Sequence, residues 1–268
     1  MKTQKLVILT LIAIISIGSI KAQQRDSSIV RSVIIHGLND SKNYVTSPLR
    51  WTKKDWVVLS GITASTGALI AWGDEPIYRF SNTLHHKNLD VFFQNTEPLG
   101  NIYPAMAIGA IMLKGFIQKD NYAMETSLIA LESYVISGLF NRVIKATAGR
   151  NRPNNDNTTN AHQWEGPFFN GASFFSGHTT TAFSVASVFA YRYKDTGWVS
   201  YVAYGLATIA GLERIYDNRH WTSDVLMGAA VGTATGIFLS KQWEDNSIRF
   251  FPTVSTNGGG LSMIIPIK

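Results

Sequence analysis

Eight residues in three short segments have the types and spacing to do chemistry together. Lys145 and Arg152 lie seven apart in KATAGRNRP, where Gly149 and Pro153 are set to end the preceding helix. A helix end and its following loop can bring two such cations to one point. Arginine offers a phosphate paired charge-assisted hydrogen bonds, and lysine adds a compact charge. Arg150 lies between them, and alternation points it elsewhere. The second segment, Ser176-Gly177-His178, precedes three threonines and an apolar run, as a helix N-terminus with Ser176 as cap would. Free N–H groups there favour an anion, and glycine lets backbone approach it. With an unperturbed pKa of about 6.5, His178 could protonate a leaving alkoxide. In the third segment, RIYDNRHWTSD, His220 and Asp224 are four residues apart and share a helix face if the helix starts near Trp221. A carboxylate that holds an imidazole in one tautomer leaves the other nitrogen free to attack phosphorus. Arg214 would add a phosphate contact.

Each segment alone also has an ordinary structural reading. Basic residues at a helix C-terminus complement its dipole. A serine cap with a half-buried histidine is common, and His/Asp at this spacing is often a surface pair. Only the combination argues for a site.

The elements that must position these residues are helical. Apolar runs at about 56–72, 102–117, 125–145, 178–193, 198–213 and 221–240 predict six helices and an all-α core. In the last of them, Gly228, Gly232 and Gly236 form a stripe suited to close helix packing. Residues 23–50 read as a lead-in, with a short helix or strand near 29–35. Residues 51–245 read as the working domain, and 246–268 as a tail of two strand-like pieces around Asn257-Gly258-Gly259-Gly260.

Composition narrows the class. Hydrophobic residues make up 45% and charged residues 16% of 268, so the chain is rich in buried or membrane-facing helix. The basic start MKTQK, the apolar stretch that follows, and Lys21-Ala22 read as a signal peptide over 1–22, with an uncleaved anchor as the alternative. Without that segment the net charge of +6 falls to roughly +3, too little to argue for nucleic acid. No cysteine is present, which excludes thiol chemistry, cysteine-held metals and disulfides. Only the run from Trp56 to Gly73 reaches spanning length, the mean hydropathy is +0.03, and a buried bundle fits slightly better than a membrane-embedded one.

The order K-x6-RP, SGH, R-x5-H-x3-D resembles the signature of the type 2 phosphatidic acid phosphatase (PAP2) superfamily, over roughly residues 125–240. The resemblance implies a six-helix PAP2-type bundle and a phosphate held by Lys145, Arg152, Ser176, Gly177 and Arg214. It implies His220 as nucleophile, Asp224 orienting it and His178 as general acid, with no metal or other cofactor. Phe175 stands where the family usually has proline, and Glu213 where it usually has serine, so Glu213 either weakens the Arg214 contact or makes a surface ion pair. The expected partner is a phosphorylated lipid or small phosphate ester, at a membrane surface or bilayer, after export to the periplasm. A soluble periplasmic acid phosphatase, a vanadate haloperoxidase and a non-catalytic envelope binding protein are the other readings. His36, His85, His86 and His162 read as structural or surface residues, and Glu165 as a residue near the entrance.

Overall fold

The computed structural model describes residues 37–154, 160–167, 172–245, 249–255 and 258–264. The expected signal peptide and the element near 29–35 lie outside these residues. The chain divides into two units, Met1–Asn43 and Tyr44–Lys268. In the first, the described residues 37–43 are helical.

The second unit carries α1 (Lys53–Ala68, continued by a π-helical stretch Leu69–Gly73), α2 (Asp74–Thr83), α3 (Lys87–Thr96), α4 (Ile102–Gln118), α5 (Asn121–Ala148), α6 (Gly177–Arg192), α7 (Val199–Tyr216) and α8 (Thr222–Asp245). An antiparallel hairpin, β1 (Arg249–Ser255) and β2 (Gly258–Ile264), follows, with Thr253 opposite Gly260. The six expected helices are present, and the tail forms strands as read. The structure adds α2 and α3, whose short, polar-faced sequences give no long apolar run.

Local chemistry sets the helix ends. Thr52 and Asp55 form a reciprocal capping box at the start of α1. Asp120 accepts the Ala123 N–H at the start of α5. At the other end of α5, Gly149 takes φ 60°, and a Cβ there would lie 2.0 Å from the Gly166 carbonyl oxygen, so only glycine fits.

Helix α6 is central and packs on α5, α7 and α8. One apolar cluster joins Ile108, Ile129, Ile136, Val185, Val188 and Leu239, from α4, α5, α6 and α8. The glycine stripe of α8 lies directly on α6. A Cβ at Gly228, Gly232 or Gly236 would stand 2.7, 2.3 or 2.4 Å from the carbonyl oxygens of Ser176, Thr180 and Ser184. The backbones therefore touch, and the start of α8 is locked to the start of α6.

The membrane expectation needs correcting. Three helical stretches are long and apolar enough to span a bilayer: Lys53–Thr83, Asn121–Ala148 and Thr222–Glu244. A fourth would be the pair Lys87–Gly100 and Ile102–Gln118, bent by 54°. A charge that breaks an apolar run in sequence can lie within a span when it faces a neighbouring helix: Glu132, within α5, accepts the Trp243 Nε1–H of α8 on Oε2 at 2.8 Å. Val57, Val58, Trp72, Leu113, Leu139 and Val143 point outward. Such lengths and outward apolarity are those of an integral membrane protein.

Substituting Gly232→Ala should lower stability by about 1–3 kcal/mol, since the α6 backbone leaves no room for a methyl group. Gly205→Ala, which meets nothing within 4 Å, should be neutral or slightly stabilising. Thermal unfolding of the detergent-solubilised variants measures both.

Candidate active site

The three segments meet at one end of the bundle, and hydrogen bonds to backbone carbonyls tie them together. Ser173 N–H donates to the Arg150 carbonyl at 3.0 Å, and Ser176 N–H to the Asp224 carbonyl at 3.0 Å. Trp221 Nε1–H donates to the Asn151 carbonyl at 2.8 Å. Each tie joins two of the three segments, so their register does not depend on a ligand.

Ser176 caps α6: its Oγ accepts from Thr179 N–H and from Thr179 Oγ1–H. Gly177 is the first helical residue, and a Cβ there would meet Asn141 Oδ1 at 2.8 Å. Asn141 also donates to the Phe175 carbonyl at 2.7 Å, which fixes the segment leading into the cap. The phenylalanine that replaces the family's usual proline is buried there.

His220 ends a tight turn in which the N–H groups of Arg219 and His220 both reach the Arg214 carbonyl, at 3.0 and 3.1 Å. Asp224 is the third residue of α8, and its Oδ2 accepts the Trp221 N–H at 3.0 Å. That oxygen lies 3.6 Å from His220 Nδ1, an ion-pair distance rather than a hydrogen bond. Ser173 bridges the gap, since its Oγ donates to Asp224 Oδ2 at 2.5 Å and stands 3.4 Å from His220 Nδ1. With its proton committed to the carboxylate, Ser173 turns a lone pair to the ring. That arrangement favours the tautomer with hydrogen on Nδ1 and an Nε2 lone pair.

The other oxygen of Asp224 is held by Arg150. Nη1 of Arg150 donates to Asp224 Oδ1 and to Ser223 Oγ, both at 2.7 Å, and Nη2 to Asp74 Oδ2 at 2.7 Å. Nε and Nη2 donate to the Ala161 carbonyl, and the guanidinium lies over the rings of Trp164 and Trp221. Arg150 points away from the anion position, as alternation implies, and into the support of Asp224. Asp74, at the start of α2, is likewise buried and also accepts the Ser223 N–H at 2.9 Å. Neither Asp74 nor Ser173 carries a local sequence signal; the partners of the Asp74 carboxylate, Arg150 and Ser223, are remote in sequence.

The cations converge on His178. Burial, followed by the charges of Arg214, His220, Lys145 and Arg152, pushes its imidazole down to about 3. His220 is lowered to about 4, chiefly by burial, with Asp224 opposing. Burial and the neighbouring Arg219 and Arg214 make Arg152 less basic than a free guanidinium. Lys145 is anchored by donating to the Ala172 carbonyl at 2.7 Å. Such a set of mutually repelling cations beside a capped helix N-terminus has the charge and donors to suit an anion, whose charge would oppose the field on both histidines.

Glu213 is not a surface residue. It is buried and paired with both Nε and Nη2 of its neighbour Arg214, so it fixes that guanidinium. The sequence reading also missed Glu97, which lies 3.5 Å from His178 Nε2 and 3.7 Å from Arg214 Nη2. His85 and His162 make exposed local contacts, and Glu165 accepts from Asn151 at 2.7 Å; His36 is outside the described residues. Among those residues no cluster of three or more metal-binding side chains occurs.

Arg150→Met should destabilise the protein by about 3–5 kcal/mol, because two buried carboxylates lose their common partner. Arg152→Met, outside that network, should cost much less. Unfolding midpoints of the two variants, compared with wild type, decide this.

The chain is similar to known proteins in sequence and in fold. A family model described as PAP2 superfamily matches residues 126–248. The lipid A 1-phosphatase of Porphyromonas gingivalis is 49% identical over 65 residues, 24% of this chain and 15% of that relative, so the match spans a small part of the relative's length. The crystal structure of a transmembrane PAP2 type phosphatidylglycerolphosphate phosphatase from Bacillus subtilis aligns with TM-score 0.54 and 19% identity, over 72% of this chain and 98% of that one, and the likeness is one of fold. Lys145, Arg152, Ser176, Gly177, His178, Arg214, His220 and Asp224 all fall within 126–248, the residues over which the chain is similar to the PAP2 superfamily.

Proposed function

We propose that this protein is a membrane-embedded phosphatase that hydrolyses lipid-linked phosphate monoesters or diphosphates through a phosphohistidine, without a metal. The observation that carries the reading is the Ser173 bridge from Asp224 to His220 Nδ1, which favours the tautomer with a free Nε2, within a cation-lined site.

In the first step His220 Nε2 attacks phosphorus and the bond to the leaving oxygen breaks. His178 gives that oxygen its proton, and the positive charge on His220 is balanced by Asp224. Lys145, Arg152, Arg214 and the N–H groups at Gly177 and its neighbours offset the charge on the other phosphoryl oxygens. In the second step water, deprotonated by His178, attacks the phosphohistidine, releases inorganic phosphate and restores His220. The depressed basicity of His178 fits an acid that holds its proton only when a phosphate's negative charge is beside it.

Lipid-linked substrates are favoured by the apolar spans around the site and by the similarity to a lipid A 1-phosphatase. Export, with residues 1–22 as the signal and the periplasmic face as the working side, belongs to the same proposal.

The test is phosphate release by the purified protein from a lipid phosphate, an isoprenyl diphosphate and a soluble aryl phosphate, each repeated with His220→Ala. Release from the lipid substrates that vanishes in the variant is expected. Equal release from the aryl phosphate would indicate a broad acid phosphatase, and no His220-dependent release from any substrate would defeat the reading. For wild type, kcat/KM should fall as the pH drops through about 4, because the protonated His220 ring has no lone pair for attack.

A further inference from the structure

Glu97 opens a 3-10 turn, Glu97–Gly100, that breaks the path between α3 and α4. Proline at position 98 has no N–H to continue the helical ladder. The turn is fixed against the first turn of α6 in two ways. Thr181 Oγ1 donates to the Gly100 carbonyl at 3.0 Å, and a Cβ on Gly100 would lie 2.6 Å from the Cβ of His178. Backbone thus touches the histidine itself, and the carboxylate three residues earlier is delivered to the ring. Glu97 Oε1 stands 3.5 Å from His178 Nε2 and 3.7 Å from Arg214 Nη2, with its side chain 43% exposed at the mouth of the site.

We propose that Glu97 is a positioning residue for His178: its carboxylate takes the Nε2–H, turns Nδ1 toward the leaving oxygen, and helps the bound phosphate hold the ring's proton until transfer. This rests on the phosphatase reading and adds a residue to it. The groups that face His178 are Arg214 from α7, Lys145 from α5, and Arg152 and His220 from the adjoining loops. These all disfavour a proton on the ring when they are charged, and the Glu97 carboxylate, 3.5 Å from Nε2, is a charge of opposite sign to which a bound phosphate would add. In the protonated ring Nε2–H stays on Glu97 and Nδ1–H faces the substrate. As the bond from phosphorus to the leaving oxygen breaks, Nδ1–H passes to that oxygen, and the neutral ring keeps its Nε2–H. Glu97 itself neither gains nor loses a proton. A separation of 3.5 Å is long for a hydrogen bond, and such contacts tighten when substrate fills a site.

The experiment compares wild type, Glu97→Gln and Glu97→Asp on a short-chain alkyl phosphate, whose leaving group needs a proton, and on an aryl phosphate activated by a nitro group, whose leaving group does not. Glu97→Gln should lose roughly tenfold or more in kcat/KM on the alkyl substrate and less than about threefold on the activated one. Removing the carboxylate lowers the proton affinity of His178, so the basic limb of the alkyl profile should move to lower pH. Glu97→Asp should recover part of the rate. Equal losses on both substrates with a lowered unfolding temperature would make Glu97 merely structural and overturn the inference. Superimposable rates and pH profiles would overturn it as well. Absence of any His220-dependent release in wild type would instead remove the phosphatase reading itself.

Discussion

Everything at the site depends on one buried cation, Arg150. Its guanidinium is shared between the carboxylates of Asp74 and Asp224, closed off by the Ala161 carbonyl and covered by two indole rings. Two buried carboxylates side by side would repel each other, and Arg150 lies between them as their common partner. Asp224 is then free to use its second oxygen on Trp221 and Ser173, and through Ser173 on His220. The network spans α2, the loop after α5 and the start of α8, so it is a structural knot and an orienting device for the imidazole at once.

Around this knot the fold supplies helix ends. The C-termini of α5 and α7 bring Lys145 and Arg214, the N-termini of α6 and α8 bring Gly177, His178 and Asp224, and the broken path between α3 and α4 brings Glu97. Such an arrangement places cations and free N–H groups at one point while the helix bodies run through apolar surroundings. Contact between the glycine stripe of α8 and the carbonyl oxygens of α6 sets the spacing of the two N-termini, so packing within the bundle reaches directly to the distance between Asp224 and the Ser176 cap.

The two residues that depart from the family's usual pattern are both absorbed. Phe175 is buried with its carbonyl held by Asn141. Glu213 makes Arg214 a fixed donor instead of a mobile one, with Glu97 as a second carboxylate on the same guanidinium. The proposed phosphate-binding arginine is therefore flanked by acids, and an incoming phosphate must compete with the more exposed of them, Glu97.

The amino-acid sequence by itself determined the six principal helices, because apolar periodicity is local. It also determined the eight residues whose order resembles the family signature, because each lies in a short segment with its own helix-end chemistry. It placed Arg150 away from the anion for a local reason, alternation. Tertiary structure alone decided what Arg150 turns toward, since Asp74 is brought to it from a helix too short and polar to show a run. It also decided the bridging place of Ser173, the burial of Glu213 and the approach of Glu97 to His178. Whether Glu132 ends a span or lies within one was likewise a tertiary matter, settled by the indole of Trp243 on a neighbouring helix. In each case the deciding partner is remote in the chain, and a hydrogen bond or ion pair between distant residues leaves no periodic trace in either of them.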